Sequence, residues 1–170
     1  MLLDLVSLGA SPKPFEFTLR PGDIDLETGG IDISSEIAVR GEARKNAAGV
    51  EVTGSVSGKL NIDCTRCLKP VETQLDTAFD VSFISQENAP DDKDLQLQQA
   101  DLSADVLQSD ELDLSELARE QILLSLPEQT FCRDDCKGLC PVCGKDLNEV
   151  ECDCGIDEID PRWAALKGLK

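Results

Sequence analysis

The residues best equipped for chemistry are eight cysteines, which fall as Cys64-Thr-Arg-Cys67, Cys132-Arg-Asp-Asp-Cys136, Cys140-Pro-Val-Cys143-Gly144 and Cys152-Asp-Cys154. In a Cys-x-x-Cys pair a tight turn aims both sulfurs at one ion, while N–H groups of the turn donate to the thiolates and offset their charge. Gly144 can take the positive φ that closes such a knuckle. The chain has no histidine. That excludes a Ser-His-Asp triad, a Cys-His nucleophile pair, a histidine base and every metal site containing histidine. Any metal is therefore held by thiolates or carboxylates.

Eight thiols divide naturally into two four-thiolate sites. Cys64 and Cys67 are remote from the others and need two partners, which Cys132 and Cys136 could supply by returning to the first half of the chain. Cys140, Cys143, Cys152 and Cys154 would then form a compact local site. Zinc (Zn2+) is the default ion for tetrahedral thiolate ligation, and an iron–sulfur cluster uses the same donors. A redox dithiol is disfavoured, since no βαβ pattern surrounds either pair. A closed four-thiolate site leaves no position for substrate. Its expected role is to staple the segment from Cys132 to Lys170, which is too short to form much core alone.

These ligands must be positioned by the rest of the chain. Val50, Val52, Val56, Leu60 and Ile62 alternate with Glu51, Thr53, Ser55 and Ser57. After a break at Thr65 to Pro70 the alternation resumes as Leu75, Phe79, Val81 and Phe83. Period two over such lengths predicts half-buried antiparallel strands. Shorter strands are expected at Phe15–Leu19 and Ser35–Arg40, and a hairpin turn at Asn46–Gly49. Asp113-Leu114-Ser115-Glu116 opens a helix that Pro127 stops. A second helix is expected from the N-cap Asp160 and Pro161 to Gly168, with Trp163 as a core anchor.

The chain carries 34 acidic against 16 basic residues, a net charge of −18. Residues 86–113 hold nine carboxylates against Lys93 alone, which predicts a solvated acidic loop and offers a docking surface for a basic partner. Such a field repels phosphate backbones, so basic proteins are the expected partners. Residues 1–10 lack a basic n-region and no apolar run is long enough to cross a bilayer, so a cytoplasmic, non-membrane protein with reduced cysteines is expected.

Cys64-Thr-Arg-Cys67-Leu68, then Asp135-Cys136-Lys137-Gly138-Leu139-Cys140-Pro141-Val142-Cys143-Gly144-Lys145-Asp146-Leu147-Asn148, then Cys152-Asp-Cys154 and Ile159-Asp160-Pro161-Arg162, resemble the YceD family, the large ribosomal RNA subunit accumulation proteins. The resemblance spans nearly the whole chain. It implies a bacterial or plastid factor in ribosome biogenesis, needed for normal accumulation of large-subunit rRNA, and it names a process more firmly than a mechanism. The family varies in how many of these cysteines it keeps.

Three functional readings follow. The preferred one is a non-enzymatic factor that binds a basic ribosomal or rRNA-processing protein, with rRNA contacted indirectly or through a small basic patch at Arg40, Arg44 and Lys45 or at Arg162, Lys167 and Lys170. The alternative is an enzyme, either a thiol oxidoreductase or a magnesium-dependent nuclease using Asp91, Asp92 and Asp94 or Asp110, Glu111 and Asp113. The third is a zinc-ribbon-like adaptor acting outside ribosome assembly. The expected architecture is α+β. An antiparallel sheet or partly open barrel occupies residues 1–85, the acidic loop 86–113, and a helix with a Cys-rich zinc module 114–170, packed on the β domain. Four thiolates and one divalent ion leave −2 per site, so two zinc sites would take the protein from −18 to −22.

Overall fold

The computed structural model describes residues 1–85, 104–155 and Arg162. Its frame is a long antiparallel hairpin of β5 (Gly49–Asp63) and β6 (Pro70–Ile84), paired from Gly49↔Ile84 to Asp63↔Pro70. β4 (Ile37–Lys45) pairs antiparallel with the other edge of β5, and β2 (Lys13–Leu19) pairs antiparallel with β4. β3 (Ile31–Ile33) lies against the far end of β5, opposite Leu60, Asn61 and Ile62. The β4–β5 turn forms where Asn-Ala-Ala-Gly predicts it. Asn46 Oδ1 accepts from the N–H groups of Ala48 and Gly49, both at 2.9 Å, the side-chain bonding that favours Asn in turns.

The alternation in β5 and β6 translates into one buried face. Val50, Val52, Val56, Leu60 and Ile62 join Ile37, Val39, Leu75 and Phe79 in the core, and each fully buried aliphatic side chain there contributes about 1.5–3 kcal/mol. Helix α1 (Leu114–Ser125) covers this face with Leu114, Leu117, Ala118 and Ile122, the spacing of one helical stripe. Asp113 caps it, its carboxylate accepting from the Ser115 N–H at 2.8 Å. Glu116 is paired with Arg119 at 2.9 Å.

Where the chain departs from expectation, the elements are short. Part of the expected acidic loop is strand. β7 (Ala104–Val106) pairs parallel with β6, and β8 (Glu111–Asp113) pairs antiparallel with β1 (Leu2–Asp4). Three-residue strands carry too little periodicity to outweigh a run of carboxylates in the sequence. Leu107 and Leu112 supply the apolar contacts that composition hid. The main sheet runs in the order β2-β4-β5-β6-β7, with β3 on β5, and does not close on itself among the described residues. The expected helix from Asp160, apart from the exposed Arg162, and the remaining acidic stretch, residues 86–103, lie outside the described residues.

Candidate metal centre

The hairpin's closed end is the first half of a site. Between β5 and β6, Cys64-Thr-Arg-Cys67 turns back on itself. The Leu68 N–H donates to the Cys64 carbonyl at 2.9 Å and the Cys64 N–H to the Lys69 carbonyl at 2.8 Å. Leu68 holds φ 59° to make this turn. The second knuckle repeats the scheme: the Gly144 N–H donates to the Cys140 carbonyl at 2.8 Å and the Cys140 N–H to the Lys145 carbonyl at 2.8 Å, with Gly144 at φ 72°. The expected glycine does its work there, and in the first knuckle a leucine takes the left-handed position at a conformational cost.

The eight sulfurs gather into two groups of four, each within 4.8 Å: Cys64, Cys67, Cys132 and Cys136, and Cys140, Cys143, Cys152 and Cys154. This is the division read from spacing. Cys64 and Cys136 sulfurs lie 3.9 Å apart and those of Cys67 and Cys132 3.6 Å apart. These separations far exceed the ~2.05 Å of a disulfide. They match the ~3.8 Å between sulfurs that a ~2.3 Å Zn–S bond imposes in a tetrahedron. The first cluster is largely buried, with Cys64, Cys67 and Cys136 at 0%, 5% and 3% exposure. In the second only Cys140 is buried.

The surroundings explain how distant segments meet. Arg66, inside the first knuckle, donates to the carbonyls of Cys136 at 2.9 Å and Asp134 at 3.3 Å, and its guanidinium stacks 4.3 Å over the Phe131 ring. Its own carbonyl accepts from the Leu139 N–H at 3.0 Å. Gly138 passes so close that a Cβ would sit 2.9 Å from that carbonyl. Lys69 binds Asp146 at 2.9 Å and Glu149 at 2.5 Å, fastening the hairpin end to the second module. That ammonium, with the Asn148 N–H, holds the Asp146 carboxyl down to about 2.

The thiols within each cluster differ in how easily they ionise. Burial opposes ionisation of Cys64, yet N–H groups of Cys132, Arg66 and Cys67 outweigh it and bring the thiol down to about 6. The N–H groups of Cys143 and Val142 bring Cys140 to about 6. Burial and the facing sulfurs push Cys132 up to about 12, and in the second cluster the Cys143 sulfur and burial push Cys154 up to about 12. Burial also opposes ionisation of Cys136, but the Asn148 amide and the Gly138 N–H bring it down, so the first group sets lowered Cys64 and Cys136 beside raised Cys67 and Cys132, and the second sets lowered Cys140 beside raised Cys152 and Cys154. A cation at the centre would favour the thiolate at every position, which is the donor chemistry of a four-thiolate metal site.

Asn148 is a residue that spacing alone does not single out. Its amide donates to the Cys136 sulfur at 3.4 Å and to Asp146 at 2.7 Å, and its carbonyl accepts from the Lys137 N–H at 2.8 Å and from Arg133 at 2.6 Å. Asn148→Leu keeps the branching of the side chain, with bulkier methyls, and removes all four bonds. It is expected to weaken metal binding at the first cluster about 10–100-fold in chelator competition, the usual effect of losing an orienting partner of a ligand. An unchanged affinity would show that Asn148 only packs.

Other candidate residues are not brought together. Among the described residues, the two cysteine groups are the sole sets of three or more Cys, Asp or Glu whose ligand atoms converge. Asp110, Glu111 and Asp113 thus form no carboxylate centre, and Asp91, Asp92 and Asp94 lie outside the described residues. Of the basic-patch residues, Arg40 pairs with Glu16 at 2.8 Å and Arg44 grips Glu51 with two nitrogens at 2.9–3.0 Å. Lys167 and Lys170 lie outside the described residues. No helix among the described residues is long and apolar enough to cross a membrane.

Comparison with known proteins brings a family model described as large ribosomal RNA subunit accumulation protein YceD, which matches residues 52–170. An uncharacterized protein of Mycobacterium tuberculosis is 32% identical over 98% of this chain and 79% of its own length. The uncharacterized YlbN of Bacillus subtilis is 27% identical over 97% of this chain and 94% of its own. A chloroplastic Arabidopsis thaliana protein named large ribosomal RNA subunit accumulation protein YCED homolog 1 is 37% identical over 60 residues, 35% of this chain and 19% of its own. No solved structure matches the chain.

Proposed function

The chain belongs to the YceD family, the large ribosomal RNA subunit accumulation proteins, and from that premise we propose that it is a non-enzymatic cytoplasmic factor in large-subunit biogenesis that binds a basic ribosomal or rRNA-processing protein. Zinc fills both four-cysteine clusters and staples the Cys-rich segment to the sheet. The observation that carries the partner reading is the fate of the arginines best placed to hold RNA. Arg40 and Arg44 are each engaged by a carboxylate, and around them stands a protein of net charge −18. A phosphate backbone meets repulsion on such a surface, and a lysine- and arginine-rich protein meets attraction.

The metal's part is structural. Four cysteines close each site, so no coordination position is left for a reacting water. Purified protein should be colourless with two equivalents of zinc per chain, and a brown protein would mean iron. The partner reading is tested by affinity purification of the full chain at low and moderate salt, with mass spectrometry and RNA sequencing of the bound material. Basic large-subunit or processing proteins are expected, lost as salt rises. Recovery of large-subunit RNA after ribosomal proteins have been stripped away would overturn it.

A further inference from the structure

A groove of about 460 Å³ runs between α1 and the segment joining β7 to β8. Its floor is apolar, with Phe83, Leu107 and Leu112 half-buried and Leu117 fully packed beneath them. Its rim is acidic, with Asp105 and Glu111 on one side and Glu116 and Glu120 on the helix. No lysine or arginine lines it among the described residues. Arg119, the one basic residue of α1, turns away and engages the Asp25 carbonyl at 2.6 Å and Glu27 at 3.3 Å, sharing itself with Glu116. Asp105, Glu111 and Glu120 make no ion pair with any described residue.

Two features separate this surface from the general acidity of the protein. Apolar side chains stay open to water beside the carboxylates. Val106 is 37% exposed, and Leu124, one turn beyond Glu120 on the same helical ridge, is 79% exposed. The acids also act on one another: burial, then the charges of Glu116 and Asp105, raise the Glu120 carboxyl above its ordinary range. A field of one sign above an apolar floor complements a segment that alternates cationic and apolar side chains.

We propose that this groove is where the basic partner docks, taking a lysine- or arginine-rich segment whose apolar residues rest on Phe83, Leu107 and Leu112 while its cations meet Asp105, Glu111 and Glu120. The proposal rests on the basic-partner reading given above and deepens it by naming the surface. Glu120 and Leu124 present the helix side, and Asp105 and Glu111 the strand side, so the segment lies along the groove between two rows of acids.

The probe is a fluorescein-labelled short peptide alternating lysine and leucine, titrated with the zinc-loaded full chain and followed by anisotropy. Asp105→Asn/Glu111→Gln/Glu120→Gln removes three exposed charges and is expected to weaken binding about tenfold. Asp32→Asn/Glu42→Gln/Asp76→Asn makes the same charge change on other strands and should stay within twofold of the parent. Replacing the peptide's leucines by glycine should also cost about tenfold. Circular dichroism checks that both variants fold. Equal losses in the two triple variants would reduce the binding to diffuse attraction and overturn the proposal, as would full binding by the groove variant. These outcomes are separable from the parent reading: if affinity purification still captures basic proteins when the groove variant is bait, the groove is wrong and the partner class stands.

Discussion

If both clusters hold metal as proposed, Cys136→Ser should cost one of the two equivalents and, with it, the docking of the Cys-rich segment on the sheet, lowering Tm by about 10 °C. Cys143→Ser should also lose one equivalent, yet lower Tm by no more than about 3 °C. The asymmetry comes from chain topology and burial. The first cluster ties residues 64–67 to 132–136, closing the long loop that holds β6 and α1, and three of its four cysteines are buried. The second closes a short stretch from 140 to 154 on the surface. Closing the longer loop removes more freedom from the unfolded chain, and leaving a buried site empty leaves thiols packed against one another. Equal Tm losses for the two variants would sink this distinction.

The same geometry fixes the pH dependence. Without metal, Cys132 is held up at about 12 by burial and its sulfur neighbours, and Cys67 is raised too, the Lys69 N–H opposing burial and the facing sulfurs. Both therefore enter binding as thiols at pH 7 and leave it as thiolates, so metal uptake at the first cluster releases protons. A bound cation would hold these thiols as thiolates, well below their unfolded range. Their contribution to stability is thus present above the unfolded thiol range, declines from there as pH falls, and is lost once acid displaces the metal. Uptake followed in a weakly buffered solution with a pH indicator should show acidification, and metal affinity should rise from pH 6 to pH 8. Affinity that stays flat over that range would mean the cluster is preionised.

Much of this was legible in the residues, for reasons that differ by element. The β5–β6 hairpin was readable because its alternation persists long enough to outweigh any local exception, from Val50 through Phe83. The division of cysteines was readable because thiolate sites need four donors and the chain offers eight, with two stranded far upstream. β7 and β8 were hidden by their carboxylates, and β1 and β3 by having three residues each. Asn148 and Lys69 were invisible as functional residues because their roles depend on contacts across the fold: Asn148 on a sulfur 12 positions away, and Lys69 on Glu149, 80 positions away. Spacing reports which residues could share an ion, and only the fold reports what orients them.

Gly54→Ala should destabilise the protein by about 3 kcal/mol, although alanine is the smallest side chain available. Across the sheet, Phe15 on β2, Gly41 on β4, Gly54 on β5 and Phe79 on β6 stand in one rung of paired residues. Both phenylalanines are buried, and their rings fold inward over the glycines. A Cβ on Gly54 would lie 2.7 Å from the end of the Phe79 ring and 2.5 Å from the Arg40 carbonyl oxygen, and one on Gly41 would lie 2.6 Å from the Phe15 ring. The space that two side chains would have filled is taken by two rings, so the substitution must displace either an aromatic ring or the neighbouring strand. A cycle with Phe79→Ala tells these apart. Phe79→Ala alone should cost about 3–5 kcal/mol, and in that background the penalty of Gly54→Ala should shrink by at least about 1 kcal/mol, leaving the part imposed by the Arg40 carbonyl. Denaturant unfolding measures all four proteins. A Gly54→Ala penalty under about 0.5 kcal/mol, the scale of a neutral surface change, would mean the rings have room to move and the rung is not what fixes the spacing of β4 and β5.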